Sequence, residues 1–173
     1  SLKLRLRKCT FAQTETIYLG LIVGNGTVRP DPEKIKAVKD WPIPSTQKEL
    51  KSFVQFCSYY GRFIHHFSDC SAPLTDMLKK NAPMKLEWSE QTIFAFKVLV
   101  CRLISAPVLA LPDTRIGAMF TIATDASNVG IAGALLQDQG SGLGLQPCEY
   151  FARKLKPAER NYDAYNLEAL AVT

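Results

Sequence analysis

The sequence contains no C-x-x-C pair, no Asp-Asp dipeptide and no apolar run near the ~18 residues of a membrane-spanning helix. Each absence removes a class of protein. The five cysteines (Cys9, Cys57, Cys70, Cys101 and Cys148) are odd in number and widely spread, which fits neither a disulfide framework nor a zinc site. They read as small buried thiols in a reducing compartment. The missing apolar run excludes a membrane span. The basic opening, Ser1 to Lys8, has no continuous apolar core and so is not a secretory signal. The expected location is intracellular, in a cytoplasmic particle or the nucleus, and not secreted. The chain also lacks an initiator methionine, so a piece of something longer is expected. Histidine is scarce: His65 and His66 are the only two. His66 and Cys70 stand at i and i+4, with no second pair to complete a tetrahedral metal site. Gly24 and Gly26 lack the third glycine and the βαβ surroundings of a dinucleotide fingerprint, so no small-molecule cofactor is expected.

What remains is 173 residues, 47% hydrophobic, with 21 basic against 16 acidic side chains. That length suits one domain or two small ones, and that apolar fraction excludes wholesale disorder. The charge is uneven. Residues 1–29 hold five basic groups and one acid, and residues 30–85 hold nine and six. Residues 86–118 balance, and residues 119–173 carry four basic groups against six acids. A basic front half suits a polyanion, of which nucleic acid is the commonest in a cell; a solvated basic surface explains it equally well. Carboxylates gathered at the other end call for a different role, such as holding a metal.

Periodicity divides the chain in the same places. Phe11 to Thr27 reads as extended, with Ile17, Leu19, Leu21 and Val23 alternating, and Gly24-Asn25-Gly26 supplies a tight turn. From Asp31 the period is helical: Asp31 caps, Pro32 takes the first turn, and Ile35, Val38 and Trp41 share a face. Pro42 and Pro44 stop that helix. Thr46-x-x-Glu49 is a capping box for a second helix with Leu50, Phe53, Val54 and Cys57 as its apolar stripe. Tyr59 to Ile64 continues or kinks it, and a shorter helix follows around Leu74, Met77 and Leu78. Ser89 caps a further helix, with Trp88 and Ile93 as a staple and Phe96, Leu99, Val100 and Leu103 on one face. The stretch Ala106 to Asp113, with two prolines, reads as a linker at a domain boundary. Strands are expected at 119–124, 129–137 and 148–154, and Pro157 or Asp163 then opens a helix containing Leu167, Glu168, Leu170 and Ala171. The fold class is α+β or α/β.

Asp125 lies at the end of an expected strand and Glu168 on an expected helix. An acid at a strand mouth and another on a following helix can converge on a hard divalent cation such as Mg²⁺, which takes oxygen ligands. A pair of such ions can activate water and steady the leaving oxygen of a phosphodiester. The pair alone is equally at home as structural or solvated carboxylates. Lys48, Lys51 and Arg62 can contact phosphates or form a solvated helix face.

Longer motifs carry a family resemblance. Asp125-Ala126-Ser127-x-x-Gly130-Ile131-x-x-x-Leu135-x-Gln137 resembles the first-strand signature of the ribonuclease H domain in gypsy-type LTR retrotransposon Pol polyproteins. Tyr150-x-Ala152-Arg153-Lys154-Leu155-x-Pro157, and then Glu168-x-Leu170-Ala171-Val172, resemble its next strand and first helix. Upstream, Tyr18-Leu19-Gly20 and Pro30-Asp31-Pro32 resemble the end of that family's reverse-transcriptase palm (1–29) and the entry to its thumb. Leu50-Lys51-Ser52-Phe53, Tyr59-Tyr60-x-Arg62-Phe63-Ile64 and Ala72-Pro73-Leu74 resemble its helical thumb (30–85). Trp88 and Ser105-Ala106-Pro107-Val108-Leu109 resemble its connection (86–117), which leaves 118–173 as the first half of a ribonuclease H-like mixed sheet with a helix.

The resemblance implies that Asp125 and Glu168 are catalytic, Mg²⁺-holding carboxylates. Two further aspartates of that site, and the Tyr-x-Asp-Asp polymerase strand, are not in this chain. Lys48, Lys51, Arg62, His65 and His66 would face nucleic acid. The implied partners are an RNA–DNA hybrid or template–primer duplex and the rest of the Pol polyprotein, with no membrane. The implied parent activity is RNA-directed DNA synthesis with cleavage of the RNA strand of hybrids, and this chain alone is expected to be inactive. The alternative is a non-catalytic nucleic-acid-binding module or an inert relic. Gly61, Ala132-Gly133 and Asn166 depart from the family pattern, and none of these departures removes Asp125 or Glu168.

Overall fold

The computed structural model describes residues 5, 9–83, 85–115 and 118–173. Most of the basic opening, Ser1–Leu4 and Leu6–Lys8, lies outside the described residues. The fold is α+β, with two antiparallel sheets and five α-helices among the described residues.

The first sheet comprises β1 (Glu15–Tyr18), β2 (Leu21–Gly24), β3 (Thr27–Pro30) and β4 (Leu109–Ala110), hydrogen-bonded in that order. The single extended run expected over 11–27 is broken at Leu19-Gly20, where both residues have positive φ (51° and 80°) and the chain reverses. Alternation alone could not show this, because a two-residue turn keeps the strand period on both sides. The turn is held from elsewhere: the Tyr59 and Tyr60 hydroxyls donate to the Leu19 and Gly20 carbonyls, and the Asp31 amide donates to Gly20. The second turn, at Asn25-Gly26, falls in the glycine pair where it is expected. The stretch read as a linker contributes β4, which pairs with β3, and Leu109 is fully buried.

The helices begin where their caps place them. Helix α1 (Pro32–Lys39) has Asp31 accepting from the Glu33 amide and proline in its first turn. Helix α2 (Gln47–Tyr59) opens on the Thr46/Glu49 capping box. A 3₁₀ turn, Gly61–Phe63, kinks the chain into α3 (Phe67–Asp76), which starts well before the apolar residues that suggest it. Helix α4 (Glu90–Ile104) is capped by Ser89 and Thr92 reciprocally. Together the helices bury Leu50, Phe53, Phe96, Leu99 and Leu103 against the first sheet. Burying each such side chain contributes roughly 1.5–3 kcal/mol. Phe53 is central, with its ring 4.5 Å from Phe96 and 5.5 Å from Trp41. The Trp88 indole N–H donates to the Pro44 carbonyl at 2.9 Å and ties the start of α4 to the loop before α2. Of the cysteines, Cys57 and Cys148 are buried as expected, and burial pushes the Cys57 thiol up to about 12. Three depart from that expectation: Cys9 and Cys70 are only partly buried, and Cys101 is exposed on α4.

The second sheet is a meander of β5 (Thr121–Ala126), β6 (Gly130–Asp138) and β7 (Leu145–Lys154). Helix α5 (Ala164–Val172) packs on β5 and β6 through a small core of Ile131, Leu155 and Leu167. The meander is joined to the front half by α3, which lies against β6 and β7. Gln137 is buried and ties Asp113 to β6, its amide nitrogen donating to the Asp113 carbonyl and its oxygen accepting from the Asp113 amide. On the outer strand β5, Ile122 is exposed. Among the described residues no helix is long and apolar enough to cross a membrane.

Two acids secure the end of β7. The Arg153 guanidinium and the Lys156 amide donate to Glu159 and hold its carboxyl below the usual range. Burial raises the Asp76 carboxyl, but Lys154 and Lys79, both donating to it, outweigh that and leave it lowered. Groups with depressed folded-state values stabilise above their unfolded values, near pH 4, and lose that contribution as pH falls through the folded ones. Urea midpoints measured at pH 7, 5 and 3 are therefore expected to drop below pH 4, and the drop is expected to be smaller in Glu159→Gln. An identical drop in that variant would exclude Glu159 as a source.

Candidate functional site

Asp125 is the fifth residue of β5, paired across the ladder with Ala132, and Glu168 lies in the middle of α5. Both line one open cleft of about 390 Å³ at the outer edge of the second sheet, together with Thr124, Tyr165, Ala169 and Val172. Asp163 caps α5, its side chain accepting from the Asn166 amide. That start sets the helix phase, so that Leu167 enters the core and the next residue, Glu168, does not.

The Asp125 carboxylate is held at both oxygens. Oδ1 accepts from the Ala126 amide at 2.8 Å, and Oδ2 lies 3.3 Å from Nε2 of His66. The other imidazole nitrogen, Nδ1, is 3.6 Å from Oδ2 of Asp69. Asp69 Oδ1 in turn accepts from the Ser127 hydroxyl at 3.1 Å. Ser127 is the hub of the β5–β6 turn, accepting from the amides of Val129 and Gly130. The donor set suits a hard divalent cation in chemistry, being carboxylate oxygen in an open cleft. It is incomplete in number: among the described residues no group of three or more potential ligands gathers.

The expected nucleic-acid contacts are distributed differently. Lys48 and Lys51 are exposed on α2 and have no ion-pair partner among the described residues. Arg62 is paired with Glu149 of β7 at 3.3 Å. His65 packs edge-on against Tyr150 of β7, and burial, together with neighbouring His66, lowers its pKa. His66 faces the two aspartates. Asp69 and Ser127 hold the site together, and sequence reasoning assigned them no role; their contact spans 58 residues and has no local signal.

The second sheet and its helix thus form an antiparallel meander followed by a helix, with acids from its first strand and its helix in one cleft. Residues 88–173 match the family described as the RNase H-like domain found in reverse transcriptase, and the chain is homologous to the reverse transcriptase/ribonuclease H regions of retrotransposon Pol polyproteins. It is 38% identical over 175 residues to the retrovirus-related Pol polyprotein from transposon 297 of Drosophila melanogaster, covering 99% of this chain and 15% of that protein. It is 41% identical over 113 residues to an uncharacterized mitochondrial protein of Arabidopsis thaliana, covering 64% of this chain and 69% of that one. The fold matches the foamy viral protease-reverse transcriptase, solved in complex with RNA/DNA hybrid, with a TM-score of 0.78 at 17% identity, over 96% of this chain and 22% of that one.

The β5–β6 turn reaches α3 only because Gly130 has no side chain. A Cβ there would stand 2.4 Å from the Ser68 hydroxyl oxygen and 2.7 Å from the Arg153 carbonyl oxygen. Gly130→Ala is expected to lower stability by about 1–3 kcal/mol through this overlap. Gly133→Ala, whose Cβ would meet nothing nearer than 3.4 Å, is expected to cost less. Urea unfolding of the two variants checks the difference, and equal midpoints would exclude the close approach.

Proposed function

We propose that this chain is the thumb, connection and first ribonuclease H half of a gypsy-type Pol polyprotein. In this reading the palm ends near residue 29, the thumb spans 30–85, the connection 86–117 and the nuclease half 118–173. Asp125 and Glu168 are two of the carboxylates that bind Mg²⁺ for cleavage of the RNA strand in an RNA–DNA hybrid. The observation that carries this reading is their convergence on one open cleft.

Mg²⁺ bound there would activate the attacking water and neutralise charge on the leaving oxygen of a phosphodiester. The chain's own residues do the rest. Asp125, fixed by the Ala126 amide and by His66, presents its remaining lone pairs to the cleft. Glu168 approaches from the helix. The exposed lysines Lys48 and Lys51 give the helical segment a cationic face for a phosphate backbone. Charges spaced in this way set position and salt dependence rather than sequence choice. The chain spans 15% of the transposon 297 polyprotein, and polymerase activity belongs to the parent protein.

Within the intact polyprotein, Asp125→Asn and Glu168→Gln are each expected to lower Mg²⁺-dependent hybrid cleavage by about 100-fold or more, with primer extension retained. Unchanged cleavage in either would remove that residue from the site. Binding of the 173-residue chain to an RNA–DNA hybrid is expected to weaken with salt. The log–log slope should be shallower by about 2 when both Lys48 and Lys51 are alanine, close to one for each phosphate left without its lysine. An unchanged slope would place the nucleic acid on another face.

A further inference from the structure

His66 has a positive-φ backbone, as Ala12, Leu19 and Asn25 also do. It caps α3 in the left-handed region (φ 55°, ψ 37°), a conformation disfavoured by every side chain with a Cβ. Such outliers persist where surrounding contacts demand them, and they cluster at functional sites. Here the conformation places the imidazole between two carboxylates belonging to different parts of the chain: Asp69 on its own helix, at 3.6 Å, and Asp125 of β5, at 3.3 Å. The two acids are fastened together independently, because Asp69 also receives the Ser127 hydroxyl from the turn that follows Asp125.

We propose that His66 is a positioning residue for the nuclease carboxylate, supplied to the ribonuclease H-like sheet by the preceding helical segment. This rests on the reading of Asp125 as a divalent-cation ligand. A carboxylate oxygen has two lone pairs. Nε2 of His66 stands 3.3 Å from Oδ2, within ion-pair range, and the Ala126 amide donates to Oδ1, so each carboxylate oxygen has a nitrogen beside it and a side open to the cleft. The Asp125 side chain is still 62% exposed, so a cation reaches it, whereas the His66 side chain is only 29% exposed and is held by packing. Hydrogen-bond partners of this kind orient metal ligands, and removing them typically costs about 10–100-fold in affinity. The site is then not self-contained in its own sheet: the docking of α3 decides how Asp125 is presented.

The test is an Mg²⁺ titration of the 173-residue chain at fixed neutral pH, read from the backbone amide shifts of Thr124 to Ser127. Wild type is expected to saturate, and Asp125→Asn is expected to abolish the response. His66→Gly accommodates the left-handed backbone but lacks the imidazole; it is expected to fold and to bind Mg²⁺ about 10-fold more weakly. His66→Gln restores an N–H donor of similar reach and is expected to recover most of that affinity, which a purely structural role for the imidazole would not produce. Wild-type affinity in His66→Gly, with the response abolished in Asp125→Asn, would overturn the positioning role alone. No saturable response in wild type would overturn the cation site itself and the role of His66 with it. Weakened binding in His66→Gly with no recovery in His66→Gln would also overturn the proposal, because the donor would then not be what matters.

Discussion

The close approach of α3 to the β5–β6 turn governs how the two halves of the molecule meet. It needs small residues on both sides. Ser68, Ser71 and Ala72 are buried on the helix, and Gly130 faces Ser68 across the contact. A larger side chain on either side would push the meander away from the helical segment. Four polar links would then lengthen together: Ser127 to Asp69, His66 to Asp125, Lys154 to Asp76 and Arg62 to Glu149. None of these is strong alone, since partly exposed ion pairs contribute ~0–1 kcal/mol each. Their common dependence on one backbone separation makes them a unit.

This arrangement gives the basic and acidic halves of the chain different tasks. In the proposed function, positive charge on the front half serves attraction to a polyanion, and the exposed Lys48 and Lys51 remain available for it. Arg62 is paired with Glu149, and burial lowers the His65 pKa, so less positive charge is presented at the boundary between the halves. The carboxylates at the far end are not a solvated cluster. Glu159 holds the end of β7 and Asp163 caps α5, while Asp125 and Glu168 open onto the cleft. Three jobs share one acidic stretch.

Much of the fold is legible locally. Capping boxes and prolines set the helix starts, because a cap satisfies orphan amides within three residues of itself. Asp31, Thr46, Ser89 and Asp163 each do so. The apolar stripe Leu50, Phe53, Cys57 is the buried face of α2. The break at Leu19-Gly20 is not legible, since alternation continues through a two-residue turn and the groups that hold it, Tyr59 and Tyr60, come from 40 residues away. Nor is β4: two residues inside a proline-rich stretch carry no period, and only pairing with Val28 and Thr27 makes them a strand.

The same division holds at the site. That Asp125 ends a strand, that Glu168 sits on a capped helix, and which family motifs surround them are all written in the order of residues, because each is a property of neighbours along the chain. Packing alone brought the two acids to one cleft. It also turned His66 toward Asp125 and Asp69, and it made Ser127 and Asp69 the fastening between them. The last two depend on how closely α3 approaches the β5–β6 turn, which is set by side-chain volume at Gly130 and Ser68 and leaves no periodic trace in the sequence.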